Sequence, residues 1–308
     1  MGKTTGALYQ LGKGKQEMNT SVTSVPLGKS GHTGTSAPLS STIVTDNGQQ
    51  YLPCPRAIPH GFVCIDIPPA ILRECQIHIL KYFTTLDSSL KRVKSDAIPS
   101  LLTQIASSYS DEEFVKVFIK GQRTFPSSVS KIIAPWIESE IKPLLQAKRV
   151  SLTHVSDLDQ CNNSNLSPND YDIYWRCVRP RKQDVARPHK DSQFAYLNEG
   201  SARAIPLPFE IRERWRIWFP LFGCHMDNSI QLVKDSYKED IPFSSIETVN
   251  GPRPDIEDHW VKANETRFGC PIDAPNRGVL FRDDVVHRGP VNPGPHVRIS
   301  AEFTLVIQ

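Results

Sequence analysis

Residues 187–194 read Arg-Pro-His-Lys-Asp-Ser-Gln-Phe and place an imidazole and a carboxylate two positions apart, at His189 and Asp191. At the end of a strand, residues i and i+2 point to the same side, so both side chains can reach one metal ion. A short pair of this kind also arises by chance. A surface histidine beside a solvated aspartate is therefore the alternative that the motif alone leaves open.

A third candidate ligand, His287, follows about a hundred residues later. Residues 278–281 form a short apolar run that predicts a buried strand, and the Arg-Asp-Asp sequence after it predicts a turn. His287 stands shortly after this turn and is followed by Arg-Gly-Pro. We expect the turn to bring this histidine to the same metal ion.

The last run of the chain, residues 297–307, alternates between two kinds of side chain. Arg298 and Ser300 share one face, and the other face is apolar. A buried arginine beside a hydroxyl needs an anionic partner, because an unpaired guanidinium in a cavity is costly. A carboxylate held by the planar guanidinium fits best, and an exposed arginine on an edge strand is the alternative. The apolar face comprises Ile299, Ala301, Phe303, Leu305 and Ile307.

The other histidines suit a metal site less well than His287. His296 stands two residues before Arg298 on the same strand face and would compete with it for space. His225 and His259 lack a following strand with a paired arginine. The remaining four lie in the N-terminal tail or before the strand region: His32, His60, His78 and His154.

These motifs together resemble one enzyme superfamily. His189-x-Asp191, then His287, then Arg298 followed by x-Ser300 is similar to the layout of the iron(II)/2-oxoglutarate-dependent dioxygenases. The phytanoyl-CoA dioxygenase-like branch is the most similar. The resemblance covers roughly residues 171–307. The chain departs from that branch at residues 234–237, where Lys-Asp-Ser-Tyr replaces a Pro-Gly-Ser-His turn.

The resemblance implies a mechanism for these residues. His189, Asp191 and His287 would form the facial triad of Fe(II), with open positions for co-substrate and O₂. Arg298, helped by Ser300, would bind the distal carboxylate of 2-oxoglutarate, whose keto-acid end would chelate the iron. Succinate and CO₂ would be released, and ascorbate would support activity. Asp191 favours hydroxylation, because halogenating members lack this carboxylate; desaturation, epimerisation and ring formation would use the same ligands.

A small-molecule substrate is expected, but its identity and the position of oxidation are barely encoded. Candidate pocket residues are Tyr174 and Arg176, on one face of a strand before the metal motif, and Trp218 on a neighbouring strand. Aromatic core packing is the alternative for Tyr174 and Trp218. Burying the charge of Arg176 is costly unless it has an anionic partner. We therefore place Arg176 beside an acidic co-substrate or substrate.

The elements that must position these residues change character along the chain. Residues 1–50 are rich in Gly, Ser and Thr and predict a disordered or loosely attached tail. Residues 51–308 predict a single domain. Its helical support, 51–148, would have one helix opening at Pro68-Pro69, one capped by Asp111, and one over 127–148 kinked or divided by Pro135 and Pro143.

Short strands separated by turn residues follow over residues 150–308. Helices first and strands afterwards predict an α+β fold. The resemblance specifies the strand region as a double-stranded β-helix, the cupin-like jelly roll.

Composition excludes several classes of protein. A hydrophobic content of 39% and a charged content of 22% are ordinary for a soluble domain. No run of residues is long and apolar enough for a membrane span, and the N-terminus has no apolar signal core, so we expect a cytoplasmic location without membrane partners. Seven cysteines without a Cys-x-x-Cys pair predict reduced thiols, none of them a metal ligand.

The net charge of +3 is too small to indicate a nucleic-acid partner. Two basic clusters, over residues 176–187 and 212–216, are read as solvated surface or as a positive rim for an anion. Three alternatives stay open: a cupin-like metalloenzyme without 2-oxoglutarate, a non-catalytic binding protein on the same barrel, and a nucleic-acid binder. The sequence does not indicate an oligomeric state.

Overall fold

The order of elements is helical first and stranded afterwards. The computed structural model describes residues 43–44, 50–51, 58–92, 94–121, 124–152, 173–194, 213–248 and 251–307. The helices are α1 (Pro69–Leu86), α2 (Ile98–Ser107), α3 (Asp111–Phe114), α4 (Ser127–Trp136), α5 (Lys142–Leu144) and α6 (Asp258–Ala263). Wider π turns, Val115–Ile119 and Ile137–Ile141, continue α3 and α4. Short 3₁₀ turns cover Ser88–Arg92, Ser95–Ala97, Met226–Asn228, Ser236–Lys238 and Glu265–Arg267.

Thirteen strands are described, most of them after residue 150. The first five are β1 (Ile43–Val44), β2 (Gln50–Tyr51), β3 (Phe62–Asp66), β4 (Val150–Leu152) and β5 (Ile173–Val178). Then follow β6 (Glu213–Phe222), β7 (Gln231–Val233), β8 (Phe243–Thr248) and β9 (Gly251–Ile256). The last four are β10 (Phe268–Gly269), β11 (Arg277–Arg282), β12 (His287–Arg288) and β13 (Arg298–Ile307). The α+β class predicted from the sequence is confirmed.

The predicted helices form, with local differences at their ends. Helix α1 begins at Pro69, where a missing N–H costs nothing. The cap of α3 is Ser110 rather than Asp111, because the Ser110 hydroxyl and the Glu113 side chain form a reciprocal capping box. The third predicted helix is divided into α4, a π turn and α5. The π turn lies between Pro135 and Pro143.

Two antiparallel sheets carry the second half of the chain. The large sheet has the order β3-β11-β6-β13-β4, with β5 also paired to β13. The small sheet has the order β10-β7-β12. Strands β8 and β9 form a separate hairpin. Strand β3 was not predicted; it lies within the region expected to be helical and pairs with β11 at the edge of the large sheet.

The large sheet separates two apolar layers. On one face, Trp175, Phe219 and Phe303 pack with the helices in the main core. On the other face, Trp218 and Phe281 form a smaller cluster, which includes Leu232 of the small sheet. This second layer lies between the two sheets. It forms the apolar surroundings of the candidate site.

The helix–sheet core should dominate stability. Phe83 on α1 is fully buried in this core. We expect Phe83→Ala to lower the free energy of unfolding by about 3–5 kcal/mol, because the cavity is not refilled. The matched control is Ile77→Ala on the same helix, where the side chain is 37% exposed; its cost should stay below about 1 kcal/mol. Urea denaturation of both variants checks this, and equal costs would contradict it.

The N-terminal tail lies almost entirely outside the described residues. The hairpin of β1 and β2 begins at Ile43, before the predicted start of the folded chain at residue 51. Within the described part of the chain, no helix combines the length and the apolar character needed to cross a membrane.

Candidate metal centre

His189 and His287 are brought together by backbone pairing. The His189 N–H donates to the His287 carbonyl at 3.1 Å, and the His287 N–H donates to the His189 carbonyl at 3.0 Å. This isolated antiparallel bridge places the two imidazole centroids 4.4 Å apart. The long separation in sequence is therefore closed by two main-chain hydrogen bonds, which do not depend on either side chain.

Both imidazoles present the same nitrogen to the site. Nδ1 of His189 lies 2.6 Å from the Arg187 carbonyl, and Nδ1 of His287 lies 3.0 Å from the Val285 carbonyl. A carbonyl only accepts, so each Nδ1 carries the proton and each Nε2 keeps a free lone pair. Burial lowers the pKa of His287 to about 4, which keeps this ring neutral at pH 7. Both features suit metal ligands.

Asp191 completes a cluster of three potential ligands. Its Oδ1 lies 3.5 Å from His189 Nε2, and its Oδ2 lies 3.8 Å from His287 Nε2. One ligand atom from each residue can be chosen so that all lie within 4.8 Å of one another. Among the described residues, no other group of three His, Cys, Asp or Glu side chains does so. The structure thus brings together the three residues predicted from the two motifs.

The donor set fits a divalent metal ion. Ligand atoms at about 2.1 Å from one ion lie about 3–4 Å from each other. The distances from the Asp191 oxygens to the two Nε2 atoms, 3.5 and 3.8 Å, lie in this range. Asp191 Oδ2 is buried and lies 2.9 Å from Arg216 Nε, but no contact from a described residue has the geometry of a hydrogen bond to it. A buried carboxylate that faces two imidazole nitrogens is a suitable ligand set for a cation.

Asp191 is ionised despite its burial. Burial alone would raise the pKa of this carboxyl, but the Arg216 guanidinium opposes burial and the pKa is held well below its usual range. Arg216 Nε lies 2.9 Å from Asp191 Oδ2. The position of Arg216 corrects the interpretation of residues 212–216 as solvated surface, because this side chain is buried between the sheets.

A second buried carboxylate, Glu302, was missed by the sequence analysis. The Tyr174 hydroxyl donates to its Oε1 at 2.7 Å, and Arg176 Nε donates to its Oε2 at 3.3 Å. Burial opposes ionisation, but Arg176 outweighs it and lowers the pKa of Glu302. The alternation of the last strand contained the signal, since Glu302 shares a face with Arg298 and Ser300.

Asp283, in the turn before His287, was also missed. Burial and the neighbouring Asp284 raise the pKa of this carboxyl to about 7. The Arg214 and Arg216 guanidinium groups partly oppose this shift. The Ser192 N–H donates to the main-chain carbonyl of Asp283 at 2.9 Å. This hydrogen bond joins the turn to the segment that carries Asp191.

Arg298 is a buried cation without an acidic partner among the described residues. Its Nη1 donates to the carbonyls of Asn228 and Pro290, and its Nε has no partner. Burial lowers the pKa of this guanidinium to about 10, so it stays charged at neutral pH. Ser300 is buried on the same face of β13. A Cβ added at Gly289 would lie 2.9 Å from Arg298 Nη2, which places the guanidinium beside the strand of His287.

The three predicted pocket residues lie in different environments. Tyr174 and Arg176 are partly buried and bound to Glu302 on the face of the large sheet that carries Arg298. Trp218 is buried in the apolar cluster between the sheets. Contact of any of the three with a substrate stays a prediction.

Comparison with known proteins gave matches among solved structures. No protein-family profile and no curated protein sequence matches the chain. EctD from S. alaskensis, in its apo form, is 12% identical with a TM-score of 0.45 over 88% of this chain and 82% of that chain. ThoJ, a non-heme monooxygenase, is 12% identical with a TM-score of 0.44 over 80% of this chain and 74% of that chain.

EctD has also been solved with 2-oxoglutarate and 5-hydroxyectoine, and with bound Fe. EvdMO1 is 12% identical to this chain with a TM-score of 0.45, over 80% of this chain and 47% of that chain. The phytanoyl-CoA dioxygenase-like branch stays a prediction.

Proposed function

We propose that this chain is a non-haem iron(II)- and 2-oxoglutarate-dependent oxygenase that hydroxylates a C–H bond of a small molecule and releases succinate and CO₂. One observation carries the proposal. Two imidazoles with unprotonated Nε2 atoms and one ionised carboxylate converge in the same space, on the side of the large sheet that also carries Arg298, a buried guanidinium with no acidic partner among the described residues.

The ligand set favours iron among the available metals. Two histidines and one carboxylate with further positions open are typical of non-haem Fe(II) oxygenases. His189, Asp191 and His287 would hold the ion. When bound, the iron supplies the activation of O₂, with 2-oxoglutarate as the source of two electrons. Soft thiolate ligands, which would favour zinc or copper, are absent from the cluster of described residues.

Arg298 supports 2-oxoglutarate as the co-substrate. Among the described residues, the buried Arg298 guanidinium donates to the carbonyls of Asn228 and Pro290, which leaves further N–H donors for a carboxylate. A bidentate carboxylate pair is the strongest partner of a guanidinium. The Ser300 side chain lies on the same face of the strand as a further hydrogen-bonding group. Arg298 would then hold one carboxylate of the diacid, and the ion held by His189, Asp191 and His287 would bind its keto-acid end. A cupin-like metalloenzyme that does not use 2-oxoglutarate would not need a buried arginine at position 298.

The surrounding fold would orient the reactants and exclude water. The apolar cluster of Trp218, Phe281 and Val285 adjoins the polar residues between the sheets. We interpret the large and small antiparallel sheets as the two sides of a double-stranded β-helix, with the polar end as the reaction site. A cytoplasmic location, support by ascorbate and the absence of nucleic-acid and membrane partners belong to the same proposal.

The test is to load the chain with Fe(II) under anaerobic conditions, then add 2-oxoglutarate, ascorbate, O₂ and a metabolite extract. We expect succinate to form together with a product that has gained one oxygen atom. Oxidised product without succinate would favour a cupin-like enzyme that does not use 2-oxoglutarate. A chain that retains no iron would be a binding protein on the same barrel, and either result would contradict the proposal.

Gly289 offers a test of the predicted co-substrate site. In Gly289→Ala, the new Cβ would displace the end of the flexible Arg298 side chain rather than the backbone. We therefore expect about 10-fold weaker binding of 2-oxoglutarate, since a charge-assisted hydrogen bond contributes about 1.5–3 kcal/mol. Calorimetric titration measures this affinity, and thermal melting should show little loss of stability. The control is Gly269→Ala, where an added Cβ meets nothing within 4 Å. Unchanged affinity in Gly289→Ala would contradict the predicted position of the co-substrate.

A further inference from the structure

Arg216 connects the candidate ligand Asp191 to the second buried carboxylate, Glu302. Its Nε lies 2.9 Å from Asp191 Oδ2, and its Nη1 lies 4.0 Å from Glu302 Oε1. Nη1 also donates to the Thr304 hydroxyl. All four residues are buried. The guanidinium therefore lies between two carboxylates that would otherwise repel each other.

The strand register explains why these groups meet. Arg216 on β6 is paired with Thr304 on β13, and the next residue along the same face of β13 is Glu302. Arg216 and Glu302 are thus diagonal neighbours on the face that points away from the helices. Asp191 approaches this face from the segment after His189, where the bridge to His287 holds the backbone.

Charges of opposite sign alternate along this row. Asp191 is followed by Arg216, then Glu302, then Arg176, whose Nε donates to Glu302 at 3.3 Å. The Tyr174 hydroxyl donates to the other oxygen of Glu302. Each charge in the low-dielectric interior has a neighbour of opposite sign, so the side chains support one another in a single arrangement.

We propose that Arg216 is a positioning residue, which holds the carboxylate of Asp191 in the orientation needed to bind the metal ion, and that Glu302 supports this orientation through Arg216. The inference rests on the proposed metal site. Arg216 contacts one oxygen of Asp191, so the rotation of the whole carboxylate is restricted. Partners that orient metal ligands in this way typically change metal affinity 10- to 100-fold when they are removed.

The first experiment compares metal affinity in the unsubstituted chain and in Arg216→Gln. Anaerobic calorimetric titration with Mn(II) and Co(II) should give dissociation constants about 10- to 100-fold higher in the variant. The visible absorption of bound Co(II) should also change, because it depends on the geometry of the ligands. Arg216→Lys retains the charge without the planar guanidinium and should give an intermediate loss, which tests the inference even if Arg216→Gln folds poorly.

Arg282 provides the matched control. This arginine is also buried, lies on the neighbouring strand β11 and pairs with Glu213 and Asp284, neither of which is a candidate metal ligand. Arg282→Gln should therefore lower the melting temperature and leave the affinity for Mn(II) unchanged. A merely structural role of Arg216 would give that same pattern.

The role of Glu302 is tested by a double-mutant cycle. Glu302→Gln alone should weaken Mn(II) binding, and adding it to Arg216→Gln should cause no further loss. Equal or tighter metal binding in both Arg216 variants would overturn the inference, since tighter binding would mean that the guanidinium competes with the metal. An unsubstituted chain that binds neither ion would overturn the proposed function as well, so the two failures are distinguishable.

Discussion

His287→Gln is expected to bind Fe(II) more than about 100-fold more weakly than the unsubstituted chain and to release no succinate. Loss of a partner that only orients a ligand already costs 10- to 100-fold in affinity, and His287 would be a ligand itself. The backbone bridge between His189 and His287 uses main-chain atoms alone, so it should survive the substitution. The fold should therefore persist while the metal affinity is lost.

Anaerobic titration with Fe(II), followed by circular dichroism of the same sample, measures both properties. The matched control is His259→Gln, because the His259 side chain is 74% exposed and pairs with Glu257, which is not a candidate ligand. That variant should bind iron normally and release succinate at the unsubstituted rate. Normal iron content in His287→Gln would mean that the third ligand is not His287, and the site as proposed would be wrong.

The ligand cluster could be anticipated because its determinants are local. The His-x-Asp spacing and the turn before His287 each depend on a few neighbouring residues, although Asp191 lies in a turn after the bridge residue His189 and not in a strand. The face that carries Arg298 follows from the alternation of β13 and is present in the structure. The bridge that joins the two histidines could not be derived from the sequence, because nothing in either segment specifies pairing over about a hundred residues.

Arg216 shows the opposite case. In the sequence it stands in a run of three alternating arginines, a pattern that is usually solvated. Its burial depends on Asp191 and Glu302, which reach it from two other segments of the chain. Strand β3 was missed for a similar reason, since its partner β11 lies more than two hundred residues away. Prediction therefore failed where long-range pairing decides burial and secondary structure.

Arg298→Gln is expected to raise the dissociation constant for 2-oxoglutarate by about 30- to 3,000-fold, while iron affinity stays the same. Truncating one partner of a buried charged pair costs about 2–5 kcal/mol of binding energy, which corresponds to that range. The guanidinium has no acidic partner among the described residues, so a bound diacid would supply its first one. Titration with 2-oxoglutarate in the presence of Mn(II) measures the loss, and Arg288→Gln is the control, because Arg288 already pairs with Glu265.

The same Arg298→Gln substitution, which should weaken ligand binding, should not lower the free energy of unfolding of the ligand-free chain. Burial lowers the pKa of Arg298 to about 10 from an ordinary value near 12.5, so the charged form is less favourable in the folded chain than in the unfolded chain. This penalty is fully present at neutral pH and decreases only as the pH rises above about 10. Without ligand, the variant should therefore be at least as stable to urea as the unsubstituted chain. Added 2-oxoglutarate should stabilise only the unsubstituted chain. A variant that is less stable without ligand and retains its affinity would show that Arg298 supports the fold through the Asn228 and Pro290 carbonyls instead of binding the diacid.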